Sequence, residues 1–488
     1  MPHSIDNSNN LRHSLKNIFT HIVLALCVLI AAQSIISNAT RDTSSAWGIY
    51  HYYIGAKYFK EVGYTNLYSC TLKAGKEADI ETWNKIHTYR DLSTYKIKAY
   101  TKSADCPDSI FTKSRWKAFT EDISVLTSWS EPSYWKKVVT DKGFNPTPFW
   151  VLIAQAPANI FSLNNIFVQK TLFNLDPLFI ILTTLIIWLN KDKKTALLTL
   201  FLSLIFFGTN GRISNNFLQF IWFPLLAATV LAWHKKRFLI SGAMLGLATG
   251  LQAFSIFFAI PVFLNLLFST IKKHPIQVKR SGLFVSSFIF TIIFCYMAGG
   301  LSERGLEGWI EWKNKITMHR NYINGELLNI GYVNLASTLT SKEKANTHSY
   351  IEDTPKTIQR NIDISQSKNI WHIIALLWTT LWIISLWRSS DNDPLKYGYV
   401  PLYIFLTLSP YYYLTLALVP LFFSQSQIQS RNLILQGVAI MFFIQLLLSG
   451  DYFNYNTQAI SELLVALFIL EITIVLALPS SIFRPNKN

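Results

Sequence analysis

Residues Phe217–Arg237 read FLQFIWFPLLAATVLAWHKKR. An apolar run stops abruptly at His234-Lys235-Lys236-Arg237. A helix rising 1.5 Å per residue needs roughly 20 apolar residues to cross the ~30 Å hydrocarbon core of a bilayer. A Lys/Arg cluster just beyond such a run marks the end that stays in the cytoplasm. The same pairing recurs on both sides of this stretch. Apolar blocks lie at Ile18–Ser37, Leu172–Leu189, Leu283–Gly299, Trp371–Leu386, Leu433–Ser449 and Leu463–Leu478. Further basic clusters sit at Lys191, Lys193 and Lys194 and from Lys272-Lys273 to Lys279-Arg280.

Composition agrees with a membrane chain. Half of the 488 residues are apolar and 15% are charged, where a soluble domain carries roughly 25% charge. The net charge of +16 falls at the turns between apolar blocks, which assigns it to topology. No basic groove interleaved with aromatics is present, so no nucleic acid is expected as a partner.

Taking the N-terminus with Arg12 and Lys16 as cytoplasmic sets the register. Residues 1–17 form a tail, 18–37 the first span and 38–148 a large extracytoplasmic loop with interfacial helices. Residues 149–300 form a transmembrane bundle, 301–369 a second extracytoplasmic loop and 370–488 a C-terminal bundle. Every short basic loop then falls on one side, with Arg484 and Lys487 inside. The fold expected is an all-α polytopic membrane protein with a bundle of about 12 transmembrane helices. Both termini would be cytoplasmic, and the large loops would face the periplasm of a bacterial inner membrane. The run Phe149–Ser162 is short and broken by Pro157, and it reads equally as a span, a re-entrant segment or an interfacial helix. The first apolar run is long for a signal h-region and reads as a retained span.

Cys27 and Cys295 lie in apolar runs and read as packing residues. Cys70 and Cys106 share the first large loop, where an oxidising compartment favours a disulfide between them. They have no CxxC spacing or nearby His pair for metal.

A loop of this length calls for a role beyond connection. It carries aromatics at Trp47, Tyr50, Tyr52, Tyr53, Tyr58, Phe59, Tyr64 and Tyr68. These suit a membrane-interface belt, or equally a platform for sugar rings or isoprenoid chains.

The long first loop, opening with an acid just past the first span, resembles the GT-C superfamily of membrane glycosyltransferases. More narrowly, three stretches resemble glycosyltransferase family 87, the polyprenol-phosphate-mannose-type transferases. They are Tyr52-Tyr53 with Ala56, Gly63 and Leu67-Tyr68; Trp233–Pro261 with its basic turn; and Ser409-Pro410-Tyr411-Tyr412-Tyr413-Leu414 with Pro420. Gly48 and Ile49 stand where the family often places an acid, so the nearest upstream acid is Asp42. Gln252 stands where the family tends to carry a cation. The resemblance implies a GT-C-like bundle. It also implies transfer of a sugar from a polyprenyl-phosphate donor to an extracytoplasmic acceptor (glycan, lipid or protein), with inversion at the anomeric centre.

That chemistry needs a carboxylate to take the acceptor proton and donors or cations at the departing phosphate. Asp42 sits where it could serve as the base, or it could simply cap the first span beside Arg41. Arg212, in a short loop on the outer side, and His319-Arg320, in the second loop, are candidates for donor-phosphate binding. His51, Tyr52, Tyr53 and Lys57 are candidates for substrate contact. Asp91 and Asp141 are further acids of the first loop. No cofactor is implied, and a divalent metal stays open because no second acid is near Asp42 in sequence. No phosphate-cradling G-x-x-x-x-G-K-[ST] motif appears. A transporter or flippase of a lipid-linked or polysaccharide intermediate is the alternative, but acids and bases are scarce in the runs apart from Glu471.

Overall fold

A computed structural model describes residues 46–101, 106–172, 175–207, 217–322, 329–340, 355–389, 393–423, 436–440 and 455–477. These residues are largely helical. Residues 46–146 form a folded unit of short helices, and the apolar helices after it form a bundle. Most of the apolar blocks Ile18–Ser37 and Leu433–Ser449 lie outside the described residues.

The unit begins with a continuous helical segment, Ala46–Gly48, Ile49–Ile54 and Gly55–Lys57, whose middle is a wide π-helical turn. Two longer helices pack beside it, α1 (Leu67–Glu77) and α2 (Lys113–Thr127), followed by α3 (Pro132–Val139). The Thr112 side chain accepts from the Arg115 amide and starts α2. A two-stranded antiparallel ribbon, β1 (Thr88–Arg90) and β2 (Ile97–Ala99), pairs Tyr89 with Lys98. The ribbon's turn uses Asp91, whose Oδ1 accepts from the amide and hydroxyl of Ser93 at 2.9 and 2.6 Å. Cys70 in α1 is joined to Cys106 by a disulfide of S–S 2.11 Å. The unit's core is aromatic: Trp83, Trp135, Tyr50, Tyr58 and Tyr68 are all fully enclosed.

The bundle runs through α4 (Pro148–Ile160), α5 (Leu175–Asn190), α6 (Lys193–Phe207), α7 (Trp222–His234) and α8 (Phe238–Leu251). It continues with α9 (Ile260–Ile271), α10 (Pro275–Gly299), α11 (Glu307–Tyr322), α12 (Tyr332–Thr340), α13 (Pro355–Arg388) and α14 (Tyr455–Ala477). Residues 253–271, 275–299 and 365–388 are long and apolar enough to cross a membrane, and shorter apolar helices lie at Leu175–Asn190, Trp222–His234, Phe238–Leu251 and Tyr412–Phe422. The chain is therefore a helical membrane protein. The described residues show three full-length spans where the sequence alone suggested about a dozen. One reason is local. Helix α8 stops after 14 residues, about 21 Å at 1.5 Å per residue, because Gln252 takes an extended conformation.

The tightest packing in the bundle is between α8 and α10. A Cβ on Gly242 would lie 2.2 Å from the Phe284 carbonyl oxygen, and one on Gly246 2.6 Å from Thr291 Cβ. One on Gly250 would lie 2.6 Å from Cys295 Sγ. Glycines four apart on one face let two helices approach until their backbones touch.

The basic turns gather at one end. Lys235 Nζ donates to Asn190 Oδ1 at 2.8 Å, Lys272 Nζ reaches the Trp387 carbonyl, and the Arg280 guanidinium stands 5.9 Å from the Phe238 ring. Two of these turns share one geometry. Lys236 and Lys273 take the left-handed conformation, and the residue after each donates back to the helix, Arg237 to Ala232 and His274 to Ser269. That arrangement satisfies terminal carbonyls and stops the helix.

The unit 46–146 sits at the opposite end, and α4 lies across that end. The Thr147 hydroxyl donates to the Gly250 carbonyl at the close of α8 (2.6 Å), and the Trp150 indole donates to Leu218 ahead of α7 (2.9 Å). Gln155 reaches Glu303 just past α10 (3.2 Å), and the Tyr53 hydroxyl donates to the Phe161 carbonyl. Every partner named along the helix is at the same end of the bundle.

Candidate functional site

The π turn of the first helical segment directs alternate side chains into two separate polar clusters. Such widened turns recur at functional positions because they re-aim side chains a regular helix would align. In the first cluster His51 is buried, with Nδ1 at 2.8 Å from the Trp47 carbonyl and Nε2 at 2.7 Å from the Tyr68 hydroxyl. A carbonyl can only accept, so Nδ1 carries the proton and Nε2 accepts from Tyr68. Burial holds the imidazole below its usual range and outweighs the pull of Asp141. The 3.8 Å approach of His51 Nε2 to Asp141 Oδ2 is thus a contact with a neutral ring and not an ion pair.

Asp141 is the hub. Its Oδ2 accepts from the Trp47 indole at 3.2 Å, and 21% of its side chain is exposed. The main chain on either side of it is held by buried cations. Arg90 Nε donates to the Thr140 carbonyl at 2.8 Å, and Lys315 Nζ donates to the Lys142 carbonyl at 3.0 Å. Arg90 also donates to the Tyr95 carbonyl at 2.5 Å, and the Tyr95 hydroxyl donates to the Lys142 carbonyl at 3.2 Å. Gly143 makes the approach possible, since its φ is +80° and a Cβ there would lie 3.2 Å from Lys315 Nζ.

Lys315 and His319 arrive on α11, one turn apart on the same face. Lys315 is buried over the Tyr95 ring, its Nζ 4.4 Å from the centroid. Burial pulls its ammonium down to about 7, against the opposing influence of Asp141. His319 Nδ1 lies 3.1 Å from the Tyr95 hydroxyl. Burial, with Lys315 and Lys142 close by, pushes it down to about 3. His319 is neutral at physiological pH, and because the Tyr95 hydroxyl donates to Lys142, the single imidazole N–H is given to Tyr95 and the other ring nitrogen is an acceptor. Trp312 fixes the same helix through its indole, which donates to the Asn145 carbonyl at 3.1 Å.

The second cluster is centred on Asp122 of α2. Lys57 Nζ stands 2.7 Å from Asp122 Oδ2, which also accepts from the Tyr58 hydroxyl at 2.8 Å. Lys57 donates to the Tyr53 hydroxyl at 3.3 Å. Arg115 closes the arrangement with a two-pronged contact to Glu61, at 2.6 and 3.1 Å. Each cation there has its own anion.

The residues expected from sequence therefore separate. His51 belongs to the Asp141 cluster, and Tyr53 and Lys57 to the Asp122 cluster. Tyr52 packs edge-on against Trp150, with centroids 5.5 Å apart. His319 joins the first cluster through Tyr95, while Arg320 next to it is exposed. Asp42 and Arg212 lie outside the described residues. Asp91 serves the ribbon turn. Sequence reasoning underrated Asp141 and passed over Arg90 and Lys315. The available signal was the spacing of Trp312, Lys315 and His319, which puts all three on one helical face.

The stretches resembling a known family also converge. Ile330 pairs with Leu408 as an isolated antiparallel bridge, and Ser409 donates to Asn329 Oδ1 at 3.3 Å. Tyr412 packs on Phe254, just past Gln252, with centroids 5.1 Å apart. Among the described residues no three His, Cys, Asp or Glu side chains gather as metal ligands would.

Comparison with known proteins gives one match. The family model of glycosyltransferase family 87 covers residues 147–410, more than half of the chain. No curated protein and no solved structure matches.

Proposed function

The chain belongs to glycosyltransferase family 87 and is a membrane glycosyltransferase, and from that premise we propose a specific reaction. A sugar passes from a polyprenyl-phosphate donor to a glycan, lipid or protein acceptor on the extracytoplasmic face of a bacterial inner membrane. The observation that carries this reading is the Asp141 cluster, where α11 docks on the unit 46–146 beside the start of α4. It gathers carboxylate, imidazole and buried cations where the unit meets the apolar helices.

Two features support the orientation. The disulfide lies in the unit 46–146, as suits an oxidising compartment. The basic turns lie at the bundle's other end, as suits a cytoplasmic face. The GT-C-like bundle of about twelve spans, with both termini cytoplasmic, belongs to the same reading.

In the proposed step an acceptor hydroxyl oxygen attacks the anomeric carbon. The bond from that carbon to the phosphate oxygen breaks, and its electron pair leaves with the polyprenyl phosphate. Asp42 takes the hydroxyl proton, and the configuration inverts. Arg212 and Arg320 supply positive charge to the departing phosphate, whose charge grows as the bond breaks. Neutral His319, whose N–H is given to Tyr95, steadies the helix that carries Arg320.

The test is transfer from radiolabelled polyprenyl-phosphate sugars in membranes holding matched amounts of wild type or Asp42→Asn. Activity lost in the variant supports the reading and its base. Activity retained moves the base elsewhere, and a wild type that transfers from none of the donors defeats the reading.

A further inference from the structure

Asp141 differs from Asp91, Asp122, Glu61 and Asp108 of the unit 46–146. Asp91 is spent on its turn, with both Ser93 donors on one oxygen. Asp122 and Glu61 are buried and matched by Lys57 and Arg115. Asp108 is paired with Lys73. Asp141 has Oδ2 taken by the Trp47 indole, no hydrogen bond to Oδ1 among the described residues, and 21% of its side chain exposed.

Its surroundings hold the carboxylate in place. The carbonyls of Thr140 and Lys142, one before and one after, are pinned by Arg90 and Lys315. Trp47 is fixed in turn, its amide donating to the Tyr134 hydroxyl at 2.8 Å. Its half-buried ring meets Tyr134 edge-on at 6.1 Å and His51 at 5.8 Å. A fixed, partly exposed carboxylate beside a half-buried indole offers two things together. The carboxylate accepts charge-assisted hydrogen bonds from hydroxyls, and the ring offers apolar surface to a C–H face. A neutral polyol uses both. A phosphate would be repelled by Asp141, and the ammonium of Lys315 and the guanidinium of Arg90 are turned toward main-chain carbonyls.

Resting on the transferase reading above, we propose that Asp141 is a substrate-contacting carboxylate of the transfer site that holds the hydroxyls of a sugar acceptor through Oδ1. The Trp47 indole lies against the sugar ring. Arg90 and Lys315 are positioning residues that fix the main chain on which Asp141 stands. This narrows the acceptor to a glycan or the glycan part of a larger molecule, and it separates the acceptor's place from the donor phosphate.

The experiment is saturation-transfer difference NMR on the full-length protein in lipid nanodiscs, with methyl α-mannoside, methyl β-glucoside and methyl β-galactoside as probes. Wild type is compared with Asp141→Asn, Trp47→Phe and the surface control Glu81→Gln, with thermal midpoints recorded for each. Losing one charge-assisted hydrogen bond corresponds to about a tenfold weaker affinity. At least one probe is expected to saturate through its ring protons in wild type and in Glu81→Gln, and to weaken about tenfold in Asp141→Asn. Trp47→Phe keeps a ring in place while releasing Oδ2, and it is expected to weaken binding by a smaller factor. It also serves as the deciding variant if Asp141→Asn unfolds. Equal signals in wild type and both site variants overturn the proposal, as does a wild type that saturates none of the three probes. Glycoside binding without transfer from any polyprenyl-phosphate donor would defeat the transferase reading and leave this sugar site standing.

Discussion

Lys315 donates its ammonium to the main-chain carbonyl of Lys142 across 3.0 Å, although the two are 173 residues apart in sequence. This bond fastens α11 to the unit 46–146 immediately beside Asp141. It also fixes a titration. The Lys315 ammonium is pulled from its ordinary 10.5 down to about 7, chiefly by burial.

Below pH 7 the folded and unfolded chains both carry this proton, and the cost of a buried charge is fully present. Between about pH 7 and 10.5 the unfolded chain keeps a proton that the folded chain has released, so stability rises with pH. Wild type is expected to gain thermal stability from pH 7 to pH 9, while Lys315→Met, with nothing to titrate at this position, gains less. Scanning calorimetry of both proteins over that window is the check. Identical pH slopes would show that Lys315 does not titrate there.

The acid side belongs to His319. Its imidazole sits at about 3, against an ordinary 6.5. As pH falls from about 6.5 toward 3 the unfolded chain takes up a proton that the folded chain refuses, so stability is lost across that window. His319→Gln keeps a neutral hydrogen-bonding side chain and removes the titration. It should hold its thermal midpoint better than wild type at pH 5, and it should keep transfer activity within a few fold at pH 7. A collapse of activity in His319→Gln, with folding intact, would mean that the ring's charge matters after all.

The membrane class was legible because apolar blocks and basic stops are local signals. The structure gathers the basic turns after α5, α7 and α9 at one end. The number of spans was not legible from composition. Helix α8 ends at Gln252 through a backbone turn, and α4 makes its contacts at one end of the bundle. The site was less legible still. Asp141 meets Trp47 from 94 residues away and Lys315 from far beyond, and long-range pairing of that kind leaves no trace in spacing. Tyr53 and Lys57 looked like companions of His51 because they are close in sequence. The π turn sends them instead to Asp122.

The α8–α10 contact makes a steric prediction. A Cβ on Gly242 would stand 2.2 Å from the Phe284 carbonyl oxygen, an atom of a helix backbone that cannot rotate aside. Gly242→Ala should therefore cost about 3 kcal/mol, at the upper end for overpacking by one methyl group. Gly282→Ala on α10, where a Cβ meets nothing closer than a Leu266 methyl at 4.0 Å, should be close to neutral. Thermal midpoints and yields of the two variants in detergent decide it. Equal losses would mean that the helices separate more easily than their contact suggests.

Lys57 and Asp122 allow structural and substrate-binding roles to be separated. They stand 2.7 Å apart with 13% and 6% of their side chains exposed, and Asp122 also accepts from Tyr58. Removing one partner of such a pair strands the other, at about 3–5 kcal/mol. Lys57→Met alone should thus be strongly destabilising, and so should Asp122→Leu. The double variant replaces the pair with apolar groups of similar size and should recover much of the loss, leaving a coupling energy of a few kcal/mol in the cycle. The pair is then an internal clamp between the first helical segment and α2, and transfer activity should return with stability in the double variant. A double variant that is stable but inactive would instead give Lys57 the substrate-contacting role that its place in the sequence first suggested.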